Sequence, residues 1–107
     1  MGIGNMGKML KQMQKLQGDM ARVEEELASA RIEATAGGGV VRAVANGRGE
    51  LVSLTIDPVA VDPADVTMLQ DLVLAAVNEV QRNARSMAET RMKAITGDIQ
   101  LPGLPRS

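Results

Sequence analysis

From Met6 onward the apolar residues fall at Met6, Met9, Met13, Leu16, Met20, Val23, Leu27 and Ala30, a three-four alternation sustained over four heptads. That spacing lays a narrow apolar seam along one side of a long helix. A helix of about 28 residues is about 42 Å long at about 1.5 Å per residue, whereas a compact chain of this size has a radius of gyration near 13 Å. Such a helix must protrude from any domain that 107 residues can build. The seam needs a partner, and the rest of the chain has to supply it or leave it to another molecule.

The core available to meet it is unusual. Phe, Trp and Tyr are absent and eight Met stand beside the Leu, Val and Ile, so packing comes from flexible aliphatic side chains. Cys and His are absent too, which removes disulfides, thiolate and imidazole metal sites, Cys nucleophiles and the commonest general base. No apolar run reaches the roughly 18 residues of a membrane span, and the opening "MGIGNMGKML" carries no signal-peptide apolar stretch. A cytoplasmic, non-enzymatic protein with no cofactor, no membrane association and no small-molecule substrate is the expectation.

Residues 37 to 58, "GGGVVRAVANGRGELVSLTIDP", hold five of the eleven glycines around two apolar runs. They do not form a Walker loop, because no Gly-Lys-Ser/Thr follows, nor a dinucleotide fingerprint, because strands rather than a helix follow the glycines. Turn chemistry fits them. Strands are expected near 31 to 36, 40 to 45 and 50 to 56, with Gly37-Gly38-Gly39 and Asn46-Gly47 with Gly49 supplying positive-φ residues for the two reversals. Val40, Arg42 and Val44 then share one face of the second strand and Val41, Ala43 and Ala45 the other. In the third, Val52, Leu54 and Ile56 are expected to face the core, and Leu51, Ser53 and Thr55 to face away. The result is a three-stranded antiparallel meander.

Pro58 ends the last strand, and "VAVDPAD" leads into a second long helix with Asp62 as N-cap, Pro63 at N1 and Asp65 near N3. Val66, Leu69, Val73, Ala76, Val80 and Met87 continue a heptad register, and Gly97 reads as its stop. The domain is expected to span residues 1–97, with residues 98–107, "DIQLPGLPRS", as an irregular tail. A three-stranded meander cannot cover two such seams, so a second copy of the chain is the economical partner, and a symmetric homodimer is expected. Met13, Leu16 and Met20 on the first helix, with Val40, Val44, Val52, Leu54 and Ile56 on the strands, are its candidate dimerisation residues.

Charge divides the chain in three. Net charge is −1, but residues 1 to 22 carry +3, residues 23 to 79 carry −7, and residues 80 to 107 return to +3. Lys8, Lys11, Lys15 and Arg22 lie at c and f positions of the first register, away from its seam, and Arg82 and Arg85 do the same on the second helix. One helix enters the sheet and the other leaves it, so the start of the first and the end of the second are expected together, far from the sheet. Basic helix faces often serve solubility alone; their segregation to the two ends favours contact with duplex phosphates. Base stacking is unavailable to a chain without aromatic residues. Asp57, Asp62 and Asp65 could be imagined as a carboxylate cluster, but strand termination and helix capping explain them, and Ser53, Thr55, Ser86 and Thr90 have no base to activate them.

Taken together, "MGKMLKQMQKLQGDM", "GGGVVRAVANGRGELVSLTIDP" and "LQDLVLAAVNEVQRNARSMAETRMKAITGDIQLPGLP" resemble the YbaB/EbfC family of bacterial nucleoid-associated proteins over nearly the whole chain. The resemblance implies an α+β homodimer shaped like tweezers, with a central antiparallel sheet and projecting helices that bind DNA without catalysis in the nucleoid. Carried over by position, Lys8, Lys11, Lys15, Arg82, Arg85, Arg91 and Lys93 become DNA-contact candidates, joined by Arg22 from the charge pattern. The other reading of the same features is a dimeric interaction module whose helical arms bind a protein partner.

Overall fold

In the computed structural model, which describes residues 3–97, the heptad seam becomes α1 (Ile3–Ser29). Three antiparallel strands follow, β1 (Ile32–Ala36), β2 (Val41–Ala45) and β3 (Leu51–Ile56), and then α2 (Val66–Thr96). The sheet order is β1-β2-β3, so the central strand is also central in the sequence, as a meander requires. The tail at residues 98–107 lies outside the described residues. The α+β architecture and all five elements are those expected from periodicity and turn signals.

The core forms where α2 crosses β1 and β2. Val41, Ala43 and Ala45 are fully buried, as are Ala76 and Val80 of α2, and Ala34 of β1 joins them. Four of these six residues are alanines, which lets the helix axis approach the sheet closely and makes each remaining valine worth about 1.5–3 kcal/mol of burial. The opposite sheet face is polar: Arg42 and Glu33 are exposed there and form a cross-strand ion pair at 2.9 Å.

Two expectations for the strands need correction. Every residue of β3 except the half-buried Ile56 is exposed, including Val52 and Leu54, because α2 covers β1 and β2 and stops short of this edge. The pairing also shifts between Val44 and Ala45: Ala43 faces Leu54 and Val44 faces Ser53, but Ala45 faces Leu51. The register skips Val52, a β-bulge that places Leu51 rather than Val52 opposite the buried Ala45. Val40 falls in the turn before β2 and packs on the core cluster instead of lying on the outer face.

The turns obey local chemistry in a different division of labour from the one expected. Gly37, Gly38 and Gly39 all have positive φ, as a tight reversal asks. In the β2–β3 hairpin only Gly49 does, and Gly47 serves a steric purpose: its N–H donates to Leu27 O at 2.7 Å, and a Cβ there would sit 2.8 Å from Leu27 Cα. The buried Asn46 organises the loop, its Oδ1 accepting from the N–H groups of Arg48 and Glu50 and its Nδ2 donating to Glu50 Oε1. The hairpin thereby closes onto the end of α1 and gives the Leu27 carbonyl a shorter partner than the 3.3 Å contact from Ala30 N at the helix end.

The cap of α2 is Asp65, whose Oδ1 accepts from Met68 N, and not Asp62. Asp62 instead closes a separate turn, accepting from Ala64 N while Asp65 N donates to Asp62 O, so Pro63 lies before the helix. Gly97 follows Thr96 in a right-handed conformation, its N–H donating to Lys93 O, and so continues the last turn instead of reversing the chain.

Candidate nucleic-acid interface

The seam of α1 is only half covered. Val23 and Leu27 are buried where the C-terminal part of α1 packs on α2, and Leu16 is half-buried. Met6, Met9, Met13 and Met20 remain 41–67 % exposed. The covered part runs back past Val23, and one ion pair marks the junction: Arg91 Nη1 of α2 donates to Glu26 Oε2 of α1. From that link α1 has about 34 Å left to its start and α2 about 8 Å left to its end, at about 1.5 Å per residue. The start of α1 therefore does not lie beside the end of α2, contrary to expectation. Alone it forms a projecting arm, and the molecule measures 76 × 28 × 16 Å.

Lys8, Lys11 and Lys15 ride on this arm, exposed and on the side away from the methionines. Among the described residues none of the three is in an ion pair, and neither are Arg85 and Lys93 of α2. The other three candidates are held by acids: Arg22 by Asp19 at 3.1 Å and Glu26 at 4.0 Å, Arg82 by Glu79, and Arg91 by Glu26. The eight basic residues thus form no single cluster. Three lie on the free arm, three near the α1–α2 junction or the end of α2, and Arg82 and Arg85 close to the sheet, where their neighbour Gln81 donates to Gly49 O.

Arg48 is a basic residue that the sequence reading left aside. The hairpin tip brings it to 3.9 Å from Glu24, and it lines an open groove of about 560 Å³ with Arg85, Leu27, Gln81 and Met92. Nothing local to residues 46 to 49 signals this neighbourhood, because it depends on Gly47 docking against α1. Of the candidate dimerisation residues, Met13, Met20, Val52 and Leu54 are exposed on the single chain and Leu16, Val40, Val44 and Ile56 half-buried.

Among the described residues the carboxylates and hydroxyls do not assemble into a catalytic constellation. Each aspartate of the imagined cluster is committed to a backbone N–H, Asp57 to Val59, Asp62 to Ala64 and Asp65 to Met68. Among the described residues no group of three or more acids could hold a metal, and no helix is long and apolar enough to cross a membrane.

Comparison with known proteins agrees with the geometry. The model of the YbaB/EbfC DNA-binding family matches residues 1–99. A nucleoid-associated protein of Moorella thermoacetica is 60% identical over 103 residues, covering 96% of this chain and 99% of that one. Its counterpart in Pelotomaculum thermopropionicum is 55% identical over 101 residues, covering 94% and 96%. Among solved structures, an uncharacterized protein of Helicobacter pylori shares the fold with a TM-score of 0.63 at 24% identity, covering 81% of this chain and 98% of that one. With a family match across all five elements and relatives above half identity, the chain belongs to the YbaB/EbfC DNA-binding family, a family of DNA-binding proteins and not of enzymes.

Proposed function

We propose that the protein binds duplex DNA in the nucleoid as a homodimer, gripping phosphates with the basic faces of its helices and so contributing to nucleoid organisation and gene expression. The observation that carries this reading is the arm itself: Lys8, Lys11 and Lys15 stand on an exposed helix and form no ion pair among the described residues. In a net-acidic protein such a stripe concentrates positive potential where a polyanion can reach it. Arg85 and Lys93 extend the contact set, and Arg22, Arg82 and Arg91 join it to the extent that phosphate displaces their carboxylate partners. Contacts of this kind set position on the duplex and carry no base code, so selectivity comes from DNA shape.

Two copies meet, on this reading, through the uncovered β3 edge, where Leu51, Val52 and Leu54 are exposed, and through the methionine seam. Gel-shift titration of random duplex DNA across salt is the test. With about six phosphate contacts, affinity falls on the order of a thousandfold between 50 and 200 mM salt. Binding that is absent at 50 mM, or flat across the range, overturns the proposal and returns the arms to a role in binding a protein partner.

A further inference from the structure

Where α1 leaves α2, four charged side chains form one chain of contacts. Asp19 holds Arg22 at 3.1 Å, Arg22 reaches Glu26 at 4.0 Å, and Glu26 holds Arg91 across the helix junction. Glu26 is the shared member. Its two oxygens serve two different arginines, Oε1 towards Arg22 and Oε2 towards Arg91. It is also the acid of the only ion pair that joins the two helices among the described residues. Both arginines remain solvent-accessible, Arg22 at 65% and Arg91 at 44% of the side chain, so a phosphate could approach either.

We propose that Glu26 acts as an internal competitor for DNA phosphate, a carboxylate that occupies Arg91 in the free protein, stands behind Asp19 at Arg22, and thereby sets the affinity and salt dependence of DNA binding. The inference rests on the DNA-binding reading above and deepens it. Carboxylate and phosphate oxygens present the same acceptor geometry to a guanidinium, so each arginine can serve one partner or the other at full strength, not both. A contact that must first be taken from Glu26 adds little to the net count of neutralised phosphates. The held arginines also stand next to the arm that bears Lys8, Lys11 and Lys15, on the path a duplex would follow from the arm to α2.

The salt law gives the size of the effect. Because the affinity scales with salt to the power of about −0.9 per neutralised phosphate, one additional full contact multiplies affinity about eightfold at 0.1 M salt. Glu26→Gln keeps the shape and the hydrogen-bonding oxygen but removes the charge. It is expected to tighten binding about eightfold and to steepen the log–log salt slope by about 0.9. Glu25→Gln is the control: it removes the same charge one residue away from a side chain that forms no ion pair among the described residues.

The experiment measures wild type, Glu25→Gln, Glu26→Gln, Arg91→Gln and the Glu26→Gln/Arg91→Gln pair on one random duplex at several salt concentrations, with circular dichroism melts to confirm that all fold. Arg91→Gln alone should change affinity by less than about twofold, yet in the Glu26→Gln background it should remove most of the gain, a non-additivity that reports the competition. Equal effects of Glu25→Gln and Glu26→Gln, in affinity and slope, overturn the inference by reducing it to net charge. So does a full loss on Arg91→Gln alone, which would show that Arg91 already reaches DNA. If wild type itself shows no salt-dependent binding, it is the DNA-binding proposal that fails.

Discussion

At the scale of single residues, the hairpin at Asn46 to Glu50 shows how a local signal can be right about place and wrong about cause. Asn-Gly marks a turn in sequence, and a turn is there, but Gly47 is required by the approach of Leu27 and not by a left-handed backbone. The partner lies twenty residues earlier in the chain, so nothing in the neighbourhood of Gly47 encodes it. Adding a methyl at Gly47 would place it 2.7–2.9 Å from Leu27 Cδ2, Cα and O, inside van der Waals contact with backbone that cannot move alone. Gly47→Ala should therefore destabilise the fold by about 2–3 kcal/mol, from overpacking and the weakened hydrogen bond to Leu27 O. Gly49→Ala, whose Cβ meets nothing, should cost only the about 1 kcal/mol of a left-handed non-glycine residue. Urea unfolding at one fixed protein concentration separates the two, and equal midpoints would refute the steric account of Gly47.

At the scale of elements, the three-four alternation located both helices, and turn signals with two-residue alternation located the three strands, including β3, which has no buried residue in the single chain. What periodicity could not say is how far a seam is covered. The same three-four alternation runs from exposed Met6 to buried Leu27, and only the position of α2 decides where burial begins. Local signals place the start of α2 too early, at Asp62, because Asp-Pro is a strong cap signal; in the fold Asp62 and Pro63 close a separate turn, and the cap falls to Asp65. The exposed arm gives a direct test of function at this scale. Replacing Lys8 and Lys11 by Glu removes two phosphate contacts, each worth about eightfold at 0.1 M salt, so affinity should fall by about sixtyfold or more once repulsion is added. Helix content should stay unchanged, because both side chains are exposed and away from the seam. Unchanged DNA affinity in this variant would remove α1 from the interface and leave the basic residues of α2 to account for binding.

At the scale of the whole molecule, the single chain leaves the methionine seam of the arm and the β3 edge uncovered, and an unpaired edge strand is a template for another chain. Leu54 discriminates between a protomer that functions alone and one that needs a partner. It is 39% exposed in the single chain, so lysine there would be tolerated by an isolated protomer, its long stem leading the ammonium into water. In a dimer sealed through β3 the same charge would be desolvated without a counter-ion, at a cost of several kcal/mol. On the proposed homodimer, Leu54→Lys should accordingly shift sedimentation from dimer to monomer at micromolar concentration. It should also weaken DNA binding about a hundredfold or more, because the avidity of two linked arms is lost even as a positive charge is gained. Thr55→Lys adds that charge on the neighbouring, polar sheet face and should leave both dimer and affinity intact. A Leu54→Lys protein that remains dimeric would move the interface away from β3, to the methionine seam alone. A monomer that binds DNA as tightly as wild type would dispense with paired arms altogether.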